Sequence, residues 1–207
     1  MHSALCLSRL IDALNDKVGR LLMWLILFMT LLSTGNALIR KFFDYSSNGL
    51  LEAQWYMFSA VFLLGGAHVL LHNEHIRIDL LASRYSPQTR AWIDIFGTLV
   101  FLLPTVAMVL WLALPGFLES FRLQEVSANP GGLLLWPAKL LIPAGFILLL
   151  LQAVSEIIKR IAFLLGRIDD PLEKHVQPTA EENLIAELKR REGISGHDEK
   201  AARAAKD

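Results

Sequence analysis

The chain has 207 residues, is 54% hydrophobic, balances 20 basic against 20 acidic residues and has a mean hydropathy of +0.43. Eighteen of the 40 charges lie in 166–207 and five in 1–20, which leaves 17 for the 145 residues between and describes an apolar body with a polar tail, not one soluble domain. The lone Cys6 excludes an internal disulfide and a four-cysteine zinc site, and zero net charge without a long basic stripe argues against nucleic-acid binding.

In residues 1–20, Leu7, Leu10, Ile11, Leu14 and Val18 recur at helical spacing and continue into Leu21 and Leu22. Arg9, Asp12, Asp16 and Lys17 fall between them, a pattern that predicts an amphipathic helix lying at the membrane interface. The competing reading is an N-terminal extension of the span that follows.

Crossing a hydrocarbon core of about 30 Å takes about 20 apolar residues in a helix. Leu21–Ile39, Ala53–Asn73 and Ile95–Leu118 are uncharged runs of 19, 21 and 24 residues. Leu140–Ser155 is a shorter run of 16, extended upstream by Leu133–Trp136 if Lys139 is accepted. The transmembrane domain is therefore placed at 21–165, with spans at about 21–39, 53–72, 93–117 and 137–157. Helices satisfy their own backbone in lipid, so the fold class is an all-α membrane protein of four transmembrane helices. Trp24, Trp55, Trp92 and Trp136 lie near the span starts, where indole suits the headgroup layer. Gly35-Asn36-Ala37 has the form of a cleavage site, but the apolar stretch before it is too long for a usual secretory signal.

Basic residues near the spans set orientation. Arg9, Lys17, Arg20, Arg77, Arg84, Arg90, Lys159, Arg160, Arg167 and Lys174 fall on one side; Arg40, Lys41, Arg122 and Lys139 fall on the other. Ten against four places both termini in the cytoplasm. The tail, 166–207, is then cytoplasmic: Pro171 and Pro178 punctuate a linker, and Thr179 with Glu182 forms a capping box before a short helix at about 180–192.

The chemistry-bearing residues are few. His68, His72 and His75 are spaced i, i+4, i+7 and share a face if the second helix reaches them, but His2, His175 and His197 lie outside the spans and supply no facing ligand. Helix-end polar residues are the alternative. Glu52, Asp94 and Glu156 (beside Lys159 and Arg160) sit at predicted span ends, where hydration and snorkelling lower their cost. A carrier that moves ions by itself calls for carboxylates or broken helices near the midplane, and none is evident. Pro104, Pro143 and Gly65-Gly66 read as helix-packing features. With no phosphate loop, nucleophile elbow or HExxH motif, no enzyme, cofactor or metal is expected.

Two segments carry more. One is His72-Asn73-Glu74-His75-Ile76-Arg77-Ile78-Asp79. The other runs Glu125-Val126-Ser127-Ala128-Asn129-Pro130-Gly131-Gly132, then Trp136-Pro137-Ala138-Lys139 and Ile142-Pro143-Ala144-Gly145-Phe146, and ends at Gln152. With four spans and cytoplasmic ends, residues 15–160 resemble the small membrane subunit of tripartite ATP-independent periplasmic (TRAP) transporters, the DctQ-like family. The resemblance implies a non-catalytic subunit. It scaffolds a large permease that takes a small organic anion, often a carboxylate, from a periplasmic binding protein and carries it inward, commonly with sodium. It implies substrate and sodium sites on the large subunit, and a bacterial inner-membrane location. Glu52, His75, Arg77, Asp79, Glu125, Ser127, Trp136, Lys139, Pro143 and Gln152 become candidate structural or subunit-interface residues. An Arg77–Asp79 pair would fix the turn into the third span, Glu125, Ser127 and Asn129 would cap the outer loop or meet a partner, and Trp136 with a snorkelling Lys139 would anchor the fourth span. The rival expectation is a haem- or metal-binding four-helix anchor, which needs histidines facing each other across helices.

Overall fold

The computed structural model describes residues 2–44, 47–72 and 85–168. The expected tail helix and His75, Arg77 and Asp79 lie outside the described residues.

The first helix, α1, runs from His2 to Phe43 without interruption. At 1.5 Å per residue its 42 residues reach about 63 Å, twice what a hydrocarbon core requires. The stretch expected to be a separate interfacial helix is thus the first part of one long helix. Its inward face also differs from the expected apolar stripe. Ser8, Ile11, Asn15, Gly19 and Leu22 are buried, whereas Leu7, Leu10, Leu14 and Leu21 are exposed. The reason is the neighbour, which offers polar side chains at that level; leucines lose little by facing lipid.

Helix α2 spans Asn48–Leu71. The third span is built of α3, Pro87–Gly97, a π-helical turn at Thr98–Leu102, and α4, Leu103–Leu123. Ser86 caps α3 by accepting the Thr89 amide at 3.3 Å, with Pro87 in the first turn. The wide turn immediately precedes Pro104, which has no amide hydrogen to give to the preceding turn. The Thr105 hydroxyl instead bonds the Phe101 carbonyl at 2.7 Å. Helix α5 spans Trp136–Leu164 and continues through a buried Pro143.

Among the described residues, four helical stretches are long and apolar enough to cross a membrane. α5 is the central one, packed against α1, α2 and α4, with α3 against its far end. The interior is small or polar. Ala60, Ala67, Ala91, Ala153 and Ala162 are buried, and Gln152, Val106 and Asn15 are the largest wholly buried side chains. Large apolar groups point outward, with Trp24, Trp55, Phe62 and Trp111 all more than two-thirds exposed. In lipid, apolar contact between helices gains little, so small residues and hydrogen bonds must hold them.

Two glycines mark close approaches between helices. A Cβ on Gly145 of α5 would lie 2.5 Å from the Leu63 carbonyl oxygen of α2, and one on Gly19 of α1 would lie 2.2 Å from His68 Nδ1 of α2. Gly66, expected to permit close packing, has nothing within 4 Å of its Cβ position, and Gly65 meets only Leu22 at 3.7 Å.

Candidate functional site

Two polar clusters lie at opposite ends of the bundle. The first joins the start of α2 to the loop between α4 and α5. Gln124 ends α4 in the left-handed conformation, at φ 48°. The loop then folds back on itself: the Ser127 amide donates to the Leu133 carbonyl at 2.9 Å, and the Leu135 amide donates to the Glu125 carbonyl at 2.8 Å. The expected turn at Pro130-Gly131-Gly132 is present. Gly131 takes φ 71°, and a Cβ on Gly132 would fall 2.5 Å from that of Ser127.

Glu52 of α2 sits at the centre of this loop. Its Oε1 accepts from Ser127 Oγ at 2.5 Å and Asn129 Nδ2 at 2.8 Å, and its Oε2 accepts from the Leu133 amide at 2.7 Å. Asn48 Nδ2 donates to the Pro130 carbonyl at 3.0 Å and the Tyr56 hydroxyl donates to the Leu134 carbonyl at 3.1 Å. A carboxylate only accepts, and three donors engage both its oxygens. Glu52 is therefore a tether between α2 and the loop.

Beside it, Lys139 Nζ donates to Glu125 Oε2 at 2.5 Å. The ammonium holds the Glu125 carboxyl below the ordinary glutamate range. Lys139 thus serves an ion pair across the loop, beyond the snorkelling anchor expected of it. Trp136 starts α5 and packs edge-on against Phe121, ring centroids 5.3 Å apart.

The second cluster lies at the end that holds the N-terminus. Ser8, Asp12 and Asn15 of α1 meet Gln152, Ser155 and Lys159 of α5, and Glu156 joins the cluster through Gln152 and Lys159. Asn15 Nδ2 donates to Gln152 Oε1 at 2.7 Å, and Gln152 Nε2 donates to Asp12 Oδ1 at 3.0 Å and Glu156 Oε1 at 3.2 Å. The Ser8 and Ser155 hydroxyls are 2.7 Å apart, and Ser155 Oγ donates to Asp12 Oδ1 at 2.8 Å. Lys159 Nζ pairs with Asp12 Oδ2 at 3.2 Å and with Glu156. Arg160 extends the seam to the third span, with Nε 3.1 Å from Asp94 Oδ2 and Nη1 3.4 Å from Glu156 Oε2.

This corrects the expectation that Glu156 and its neighbours rest hydrated at a span end. Glu156 is 3% exposed and Arg160 4%, enclosed by protein and paired there. Of the predicted residues, Glu52 and Ser127 meet directly, and Glu125, Trp136 and Lys139 share their end of the bundle. Pro143 and Gln152 lie further along α5, Gln152 within the seam. Asp12, Asn15, Ser155, Glu156, Lys159 and Arg160 were not among the candidates. The available signal was polar residues at helical spacing: 8, 12 and 15 on one helix, and 152, 155, 156 and 159 on the other.

Neither cluster joins a nucleophile to a base that activates it. Among the described residues, His68 and His72 lie side by side on α2, ring centroids 4.2 Å apart, and do not face each other across helices. With Asp16 of α1 they do gather three ligand-type atoms within 4.8 Å of one another.

Comparison with curated proteins and with solved structures finds no match. The family described as "Tripartite ATP-independent periplasmic transporters, DctQ component" matches residues 29–163, from the middle of α1 to the end of α5. That match covers well over half of the chain and reaches into all four spans, and with the all-helical fold it establishes that the chain belongs to the DctQ family and is a small, non-catalytic permease subunit of a TRAP transporter.

Proposed function

We propose that this subunit is a static scaffold in the bacterial inner membrane. It holds a large permease subunit that receives a small organic anion, a carboxylate, from a periplasmic binding protein and moves it inward on an ion gradient, sodium being the expected ion. The reading is supported by how the chain uses its acids. Asp12, Glu52, Asp94 and Glu125 each bond within the chain, tethering helix to helix or helix to loop, and Glu156 bonds Gln152, Lys159 and Arg160 along α5. Acids committed to such tethers build a frame; an ion-coupling site needs carboxylates open to the ion near the midplane. The ten-to-four distribution of basic residues supports cytoplasmic termini, which puts the Glu52 loop on the periplasmic side and the Asp12–Glu156 seam on the cytoplasmic side.

The test is to express the tagged chain with the permease and binding-protein genes beside it, extract it in mild detergent and reconstitute what elutes. A large polytopic subunit at near one-to-one ratio, with sodium-dependent carboxylate uptake that needs both chains and the binding protein, is the expected result. Elution of this chain alone, or uptake by it alone, overturns the reading.

A further inference from the structure

Among the described residues, a further polar constellation lies apart from the seam and the loop tether. At the α1–α2 contact, Asp16 of α1 faces His68 and His72 of α2, with one ligand atom from each of the three within 4.8 Å of the others. His72 Nδ1 lies 3.1 Å from the His68 carbonyl, and His72 Nε2 lies 3.9 Å from Asp16 Oδ1. Asp16 Oδ2 is taken by Arg20 at 3.0 Å. His68 Nδ1 is buried with no hydrogen-bond partner. Its ring lies against Gly19, where any Cβ would strike it.

We propose that Asp16, His68 and His72 bind a divalent transition-metal ion of the zinc class, clasping α1 to the end of α2. The ligand from a second helix, missing from the histidine spacing alone, is Asp16. Two imidazoles and one carboxylate are ligands that zinc accepts, with water completing a tetrahedron. A His72 Nδ1–H donated to the His68 carbonyl fixes the tautomer in which Nε2 carries the lone pair, the usual orientation for a ligating histidine. Arg20 on Oδ2 leaves Oδ1 on the histidine side and serves as the outer partner of a singly bonded carboxylate. Ligand–metal bonds of about 2.0–2.2 Å require these atoms to draw together by about an ångström, within reach of side-chain torsions at half-buried positions. The inference does not depend on the transport reading.

The experiment uses the untagged full-length chain with whatever co-purifies, stripped by chelator and titrated separately with Co²⁺ and Zn²⁺. One Co²⁺ per chain is expected, with the visible absorption of a tetrahedral nitrogen–oxygen site, displaced by Zn²⁺. H72Q and D16N should each weaken binding by about 100-fold or more, because even outer partners of a metal site are worth about 10–100-fold. R20Q removes the outer partner of Asp16 without removing a ligand and should weaken binding by about 10–100-fold, less than D16N does; H175Q and H197Q, in the tail, should keep the affinity. Metal-free melting of each variant separates loss of binding from loss of fold. Absence of saturable Co²⁺ binding, retention of binding in H68Q/H72Q/D16N, or its loss in the tail variants overturns the site.

Discussion

Arg160 is the residue whose loss should damage this bundle most. Among the described residues the seam sets three carboxylates, Asp12, Asp94 and Glu156, against two cations, Lys159 and Arg160. Arg160→Leu takes away the guanidinium shared by Asp94 and Glu156 and leaves the seam with three acids and one ammonium. The Arg160 and Glu156 side chains are 5% and 4% exposed, so water does not replace the lost partner. Removing one member of such a buried pair costs about 3–5 kcal/mol. Glu156→Gln acts in the other direction. It leaves two acids and two cations, and the amide oxygen still accepts from Gln152 or Lys159, so a cost of about 1 kcal/mol is expected, that of one altered hydrogen bond. The two substitutions together should cost less than their sum, with a coupling of about 0.5–3 kcal/mol. The assay is equilibrium unfolding of the detergent-solubilised chain followed by tryptophan fluorescence. An R160L variant within about 0.5 kcal/mol of wild type, the range of ordinary surface changes, would show that the pair is hydrated. An E156Q variant more damaging than R160L would refute the charge count itself.

Other expectations follow from single contacts. Gly145→Ala drives a methyl against the Leu63 carbonyl and should cost about 1–3 kcal/mol, whereas Gly66→Ala enters open space within a helix and should be neutral or gain up to about 1 kcal/mol; the same unfolding assay compares them. Glu52→Ala frees the Leu133 amide from its acceptor, so hydrogen exchange should quicken in peptides that contain Leu133 and stay unchanged around Gln152. Lys139 lowers the folded-state pKa of Glu125, so this pair adds stability above the unfolded glutamate pKa of about 4.3 and loses it as pH falls through the lower folded value. The melting temperature of Lys139→Met should therefore trail wild type by a constant gap above about pH 4.3, a gap that closes on acidification below it; a gap that persists unchanged in acid would mean Lys139 acts by packing.

The spans were legible because membrane thickness sets a length that uncharged runs either meet or miss. Leu21–Ile39, Ala53–Asn73 and Ile95–Leu118 met it; the first and third lie in helical stretches of the observed bundle, and the second does so as far as Leu71. The turn at Pro130-Gly131-Gly132 was legible because left-handed backbone at Gly131 is a local requirement. The inward face of residues 2–20 was not. Amphipathic reasoning turns leucines toward protein because water is the alternative, but beside lipid that penalty disappears, and Ser8, Asp12 and Asn15 decide the facing by finding Gln152, Ser155 and Lys159. Those partners lie about 140 residues downstream, beyond any local periodicity. The same holds for Asp16: the histidine spacing shows one helix, and only antiparallel packing of α1 on α2 adds the carboxylate.

The family match makes this division of labour sharper. It begins at residue 29, so the α5 half of the seam lies inside the matched region and Ser8, Asp12 and Asn15 lie outside it. Gln152 and Ser155 are too buried for water to satisfy them, and an unsatisfied polar group in such surroundings costs several kcal/mol. The matched helices therefore create a demand that the N-terminal extension meets: Asn15 supplies a donor, Asp12 a charge, and Ser8 a hydroxyl. That is a physical reason for α1 to run about twice the length of a span. Its first turns are the complementary strip that completes the interior of α5, with the leucines between them left for lipid. The arrangement ties the N-terminus to the central helix at one end while Glu52 ties α2 to the loop at the other. A bundle fixed at both ends and closely packed at Gly145 between them has little freedom for internal rearrangement, which agrees with the proposed scaffold role.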